Sequence, residues 1–220
     1  MRNKPLFQNS KAFLAGIQTM YRMDRGDRIY VKRHFARWLG IARILEEIEE
    51  QRGFMKILDV GCGSGFFMLM LSGRIIGLDN EENVEVCKRR QLQAFSLNIE
   101  KDRFPFKDGS FDGVTCLEVL EHLEDPSNML TEIYRVLKPN RYFVMSTPNS
   151  RIPTWRIRDF LLKFRLIGRL YMGRDLGSDQ KRYSRNKLKE LLLSCGFKVR
   201  FCYSKIFLPC DDLIAIARKA

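Results

Sequence analysis

The sequence predicts an α/β fold, a sheet of parallel strands joined through helices. Three observations predict it. Residues 56–65, Lys-Ile-Leu-Asp-Val-Gly-Cys-Gly-Ser-Gly, run from a strand-like stretch into three glycines at alternate positions, and an apolar run of helical length, 66–71, follows. Residues 74–79, Arg-Ile-Ile-Gly-Leu-Asp, read as a second buried strand ending in an acid. Further strand-like stretches at 111–116 and 141–147 are separated by helical sequence, the alternation that parallel strands with crossover helices require.

Bulk properties bound the answer. At 220 residues and 45% hydrophobic, the chain can bury a full core as one α/β domain with modest additions. No apolar run reaches the roughly 18 residues of a membrane-spanning helix. The start, Met1-Arg2-Asn3-Lys4-Pro5, lacks the apolar core and cleavage site of a secretory signal, so a cytoplasmic location is expected. Six scattered cysteines without a C-x-x-C read as free thiols in a reducing compartment. The net charge of +13 suggests an anionic partner, whether nucleic acid, a phospholipid surface or a charged substrate. A soluble enzyme of a basic or heat-adapted proteome would carry the same charge.

The elements follow in order. Residues 1–30 have no clear period and suggest one or two loosely packed helices. In 30–51, Phe35, Trp38, Leu39, Ala42, Leu45 and Ile48 fall on one helical face, and Gly53 ends the helix. The strand at 56–60 turns through Gly61, Gly63 and Gly65 into a helix whose free N–H groups face the turn. Glycine lets a ligand lie against that backbone and tolerates positive φ. After the second strand, 81–90 reads as a helix and 95–97 as a short strand. Pro105 and Asp108-Gly109 mark a turn before the strand at 111–116. A helix over 128–137 and a strand over 141–147 follow. Ser184 caps a helix at 185–194, Cys195-Gly196 ends it, and strands at 197–203 and 212–219 close the chain.

A dinucleotide fingerprint would need glycine at position 66, which is Phe66. The octet Leu58-Asp-Val-Gly-Cys-Gly-Ser-Gly65 instead resembles the first motif of the class I S-adenosylmethionine-dependent methyltransferases. Residues 98–112, Asn-Ile-Glu-Lys-Asp-Arg-Phe-Pro-Phe-Lys-Asp-Gly-Ser-Phe-Asp, resemble that family's D-x-x-x-x-x-(F/L)-P-F-x-D-x-S-F-D segment. Residues 128–139 match its L-x-E-(I/L)-x-R-V-L-K-P helix, with Asn140-Arg141 in place of the usual Gly-Gly. Asparagine tolerates the left-handed conformation, so that turn can survive. The resemblance covers 54–149 strongly and 178–219 moderately, and includes a likeness to ubiquinone-type O-methyltransferases.

The resemblance implies a Rossmann-like, seven-stranded, mostly parallel sheet with helices on both faces and the last strand antiparallel. It implies S-adenosylmethionine as cofactor, lying across the ends of the first two strands, where the strand order reverses. It divides the chain into an N-terminal helical cap, 1–52, and a methyltransferase domain, 53–220. The residues it assigns to the cofactor are Asp59, Gly61, Cys62, Gly63, Gly65, Asp79, Asn80, Asn98, Ile99, Leu117 and Glu118. Asp79 would accept from the ribose hydroxyls. Asn98 stands where relatives carry an Asp for the adenine amino group, and Ile99 and Phe106 would pack on the adenine.

The group Glu118-Val-Leu-Glu121-His122 carries the most chemistry. With a later histidine, the same spacing supplies metal ligands in small-RNA-terminus 2′-O-methyltransferases. His34 and His122 are the only histidines here, so a Mg²⁺ site of three protein ligands and waters is an alternative reading and no metal is assigned. His122 is the expected general base, with Glu118 beside it, and a helix-capping His flanked by solvated acids is the structural alternative. Residues 151–176 interleave apolar and aromatic side chains with Arg and Lys. That is the composition of an interfacial membrane segment, of a lid helix, or of a phosphate-backbone contact. The expected reaction is methyl transfer to an oxygen or nitrogen of a small-molecule or lipid-linked acceptor, with peripheral contact at the inner membrane surface. RNA-directed methylation and a non-catalytic cofactor-binding regulator are the alternatives.

Overall fold

The structure, a computed structural model, describes residues 25–53, 56–71, 75–149, 183–207 and 210–220. The helices expected before residue 25 and the basic segment at 151–176 lie outside the described residues. The elements are α1 (Arg25–Arg52), β1 (Ile57–Val60), α2 (Phe66–Met70), β2 (Ile75–Asp79), α3 (Glu81–Arg89), β3 (Ala94–Ser96), β4 (Phe111–Leu117), a 3-10 turn (Leu120–His122), α4 (Ser127–Val136), β5 (Leu137–Pro148), α5 (Arg185–Ser194), β6 (Phe197–Phe207) and β7 (Cys210–Lys219).

The described strands form a seven-stranded sheet in the order β3-β2-β1-β4-β5-β7-β6. β1 to β5 pair in parallel, and β7 runs antiparallel to both its neighbours. This is the α/β, Rossmann-like sheet the sequence implies. The chain steps outward from β1 to β3, then returns to lay β4 on the other side of β1. The strand order therefore reverses between β1 and β4, not between the first two strands as expected, and open α/β sheets place ligands outside the strands' carboxyl ends at such a point.

Two apolar clusters clothe the sheet. On one face Trp38, Ile41, Ala42 and Leu45 of α1 pack with Phe66, Phe67 and Met70 of α2 and Cys87 of α3 against Ile57, Val144 and Ile216. On the other, Met129 and Ile133 of α4 and Leu188 and Leu192 of α5 pack against Leu58, Val114, Phe143 and Phe197. A large aliphatic side chain buried this fully contributes about 1.5–3 kcal/mol. The helical stripe read at 30–51 is thus core from Trp38 onward, and a boundary at 52/53 parts elements that share one core.

α4 also fastens the loop that follows β3. Arg135 Nη1 donates to Phe106 O (2.7 Å) and Nη2 to Phe104 O (3.0 Å). Glu132 takes two bonds from the same guanidinium (2.9 and 2.6 Å) and one from the Phe104 N–H (2.7 Å). The Lys219 ammonium closes the other end of α4, donating to Tyr134 O (2.6 Å) and Leu137 O (2.8 Å), carbonyls the helix leaves without partners. The turn at Asn140 is left-handed, φ 62°, as the asparagine allows. β5 begins four residues before the expected strand.

Candidate functional site

β1 delivers the chain to the carboxyl edge of the sheet and the glycine loop turns it into α2. Gly61, at φ 74°, leaves no room for a side chain, because a Cβ there would lie 2.2 Å from Val119 Cγ2. Gly63, at φ 53°, is different: a Cβ would project into open space, which is the face a ligand can use. The Gly61 and Cys62 N–H groups donate to Leu78 O (2.8 and 3.1 Å). The Gly63 N–H donates to Asp79 Oδ2 (2.7 Å). Arg90 donates to Ser64 O and lies over the Phe66 ring, 4.1 Å from its centroid. The loop is therefore tied to β2, and α2 is held to the turn after α3.

Asp79 is the hub of that tie. Its Oδ1 accepts from the Asn80 N–H and from Asn83 Nδ2, both at 2.8 Å. Asn80 caps α3 by accepting from the Asn83 N–H (2.9 Å). Beside them opens a cleft of about 420 Å³ lined by Asp79, Asn80, Glu81, Ser96, Leu97, Asn98 and Ile99. Four residues singled out in the sequence thus meet on one cavity. Asn98 is held by an Asx turn, its Oδ1 accepting from the Glu100 N–H (3.0 Å), and its own N–H donates to Asp102 (2.7 Å). Phe106 does not line the cleft. It packs edge-on against Phe111 and Phe95, with centroids 4.8 and 5.6 Å away, because the Arg135 clamp turns its loop toward the core.

Other predicted residues lie deeper. Asp59 is buried beneath the loop, accepting from Thr115 Oγ1 (2.6 Å). Burial pushes its carboxyl up to about 7, against the lowering bond from Thr115 and with a smaller push from the Asp79 charge. Cys62 turns inward, its Sγ 4.0 Å from that of Cys87. That contact, and then burial, push the Cys62 thiol well up. Leu117 packs along the edge of the α1 cluster.

β4 ends in a second, polar group. Glu118 has φ 57°, a left-handed backbone that costs a non-glycine residue about 1–2 kcal/mol and persists only where neighbours hold it. Its N–H donates to Ser146 O (3.0 Å), and its Oε1 accepts from Ser146 Oγ (2.9 Å) and pairs with Arg37 Nη1 (2.6 Å). Arg37 Nε in turn pairs with Asp212 Oδ2 (2.9 Å). Glu121 is buried and accepts from Thr147 Oγ1 (3.0 Å). Burial, and then the Glu118 charge, push its carboxyl up to about 8. His122, one residue on, is exposed, its N–H donating to Val119 O (2.9 Å). The 3-10 turn that aims Glu121 inward aims His122 out.

Sequence reading missed Arg37, Thr147 and Asp212. Arg37 was one cation among many on α1 and Asp212 the first acid of a strand, so no local signal marked either. Chemically, the site combines a carboxylate at a strand tip suited to adjacent hydroxyls, an open backbone, and a partly buried acid pair.

Residues 58–145 match a family model described as a methyltransferase domain. A ubiquinone biosynthesis O-methyltransferase of Colwellia psychrerythraea is 33% identical over 126 residues, 52% of this chain and 51% of that protein. One of Pseudomonas savastanoi is 34% identical over 114 residues, 46% of this chain and 49% of that protein. The chain spans about half the length of the curated relatives it matches. Among solved structures, magnesium protoporphyrin IX methyltransferase of Synechocystis, with bound SAH, superposes with a TM-score of 0.66 at 16% identity, covering 97% of both chains. At that identity the likeness is one of fold.

Proposed function

Residues 58–145 are a class I S-adenosylmethionine-dependent methyltransferase domain, and from that premise we propose that the chain transfers a methyl group to an oxygen or nitrogen of a small-molecule or lipid-linked acceptor. Oxygen is favoured because the relatives at about a third identity are O-methyltransferases. The observation that carries the reading is the convergence of Asp79, Asn80, Asn98 and Ile99 on one cleft beside the open face of Gly63.

The residues fit the cofactor class. Asp79 would accept from ribose hydroxyls, Asn98 and Ile99 would hold the base, and the glycine loop would take the methionine end. When bound, the cofactor supplies a methyl group on a cationic sulfur, ready for in-line transfer. The chain's own contribution is to orient both partners and keep water out. Glu121 is the better supported proton acceptor: it is buried, and a carboxyl raised to about 8 suits base chemistry near neutral pH. His122, the base expected from sequence, is its exposed neighbour, and Glu118 borders both.

Calorimetric binding of S-adenosylmethionine and of its demethylated product tests the premise. Wild type should bind both and Asp79→Ala should lose both. Absence of binding by wild type would refute the reading. Methyl transfer to lipid extracts, compared with total RNA, then selects the acceptor class, and Glu121→Gln against His122→Ala identifies the base. Peripheral membrane contact through 151–176 is proposed from its composition. Among the described residues no helix is long and apolar enough to cross a membrane.

A further inference from the structure

The matched domain, residues 58–145, does not contain the groups that hold its own acidic pair. Arg37, which holds Glu118, comes from α1, and its second carboxylate partner, Asp212, from β7, both outside it. The Arg37 side chain is only 6% exposed, and its fork spans Glu118 Oε1 at 2.6 Å and Asp212 Oδ2 at 2.9 Å. Its remaining arm meets His34 Nδ1. Register explains the meeting. β7 runs antiparallel to β5 with Asp212 opposite Pro148, so the first residues of β7 reach the carboxyl edge of β5, next to Ser146 and Thr147. α1 meets that edge at Arg37, one residue before the buried Trp38.

We propose that Arg37 is a positioning residue of the acceptor side: it pins Glu118 in its left-handed conformation at the end of β4 and sets the charge that the neighbouring buried Glu121 feels. The proposal rests on the reading that this side of the cleft receives the acceptor. Three features support it. Glu118 has an unfavourable backbone, held by Arg37 and Ser146. A guanidinium can bridge two carboxylates in fixed geometry, which a lysine ammonium cannot match. The groups bearing on Glu121 are Cys116 from β4, Glu118 just after it, Arg37 from α1, Thr147 from β5, and Tyr183 just before α5. Of these, Arg37 is the cation, and its charge favours the ionised carboxylate, whereas burial and Glu118 oppose it. Arg37 therefore works against burial and Glu118, though its pull on Glu121 is smaller than either.

The test needs no acceptor. Full-length protein with 13C-labelled glutamate carboxyls is titrated by NMR, with Glu121 assigned by its loss in Glu121→Gln. Arg37→Met should raise the Glu121 midpoint by about one pH unit, and Glu118→Gln should lower it. Arg37→Lys, which keeps the charge, should restore most of the Arg37→Met shift. Binding of S-adenosylhomocysteine should stay within about threefold of wild type in Arg37→Lys, because Arg37 does not line the cofactor cleft. An unchanged Glu121 midpoint in Arg37→Met and in Asp212→Asn, with the fold retained by circular dichroism, would overturn the proposal. If Arg37→Met does not fold, the opposite movements expected in Glu118→Gln (down) and Asp212→Asn (down, by freeing the guanidinium charge) decide it. Loss of S-adenosylhomocysteine binding by wild type would instead refute the cofactor reading, while the midpoints still judge Arg37.

Discussion

Removing the Arg135 guanidinium should unhinge the loop that carries the proposed adenine subsite. Arg135→Met deletes the bonds to Phe104 O and Phe106 O and both bonds to Glu132. Glu132 is buried at 7% exposure and would keep only the Phe104 N–H. Breaking a buried pair by removing one partner costs about 3–5 kcal/mol, because the other charge is left without compensation. The further pair with Asp108, whose side chain is 75% exposed, adds little. For a domain of this size that loss corresponds to a fall in Tm of roughly 6–20 °C. Urea denaturation and calorimetry would measure it, and the double variant Glu132→Gln with Arg135→Met should recover part of the loss, since no buried charge then stands alone. The Glu132 carboxyl is held below its ordinary 4.5, first by the bond from Arg135. Its stabilisation is therefore complete above that value and lost as pH falls through the lower folded one, so the gap between wild type and Arg135→Met should narrow in acid. Because the clamped loop also carries Asn98 and Ile99, S-adenosylhomocysteine affinity should fall as well. A destabilisation below about 1 kcal/mol, or a double variant no more stable than the single, would refute the clamp.

Gly63→Val should abolish cofactor binding at a modest stability loss, about 1–2 kcal/mol from the positive φ, because its side chain would fill only open space. A Gly63→Val protein that binds normally would mean the ligand does not approach that backbone. Asp59 and Glu121, with carboxyls raised to about 7 and about 8, favour the protonated form when folded. Their contribution is fully present below their unfolded values near pH 4 and is lost as pH rises through the folded ones. Stability should decline by up to about 1.4 kcal/mol per unit for each group, from about pH 4 to about 7 for Asp59 and to about 8 for Glu121. Asp59→Asn and Glu121→Gln should each flatten that decline in thermal melts, and an unchanged slope would contradict the assigned burial effect.

The residues legible in the sequence are those whose role is written in neighbouring positions. A strand running into Gly61, Gly63 and Gly65 can only turn sharply and leave its backbone open, and Asp79 ends a strand that must pair with β1, so both were readable without coordinates. The same holds for the α4 helix and the Asn140 turn, each set by local conformational preference. What the tertiary structure decided depends on contacts between distant segments. Arg37 meets both Glu118 and Asp212 only because β7 runs antiparallel beside β5 and α1 crosses the strand ends. Phe106 left the cleft because Arg135, from a helix later in the chain, pulls its loop onto the core. Glu121 and His122 differ through a single 3-10 turn, whose adjacent side chains point opposite ways, one into the protein where its proton affinity is raised and one into water. Residue spacing announces that an acidic pair and a histidine stand together. Only packing decides which of them is dry.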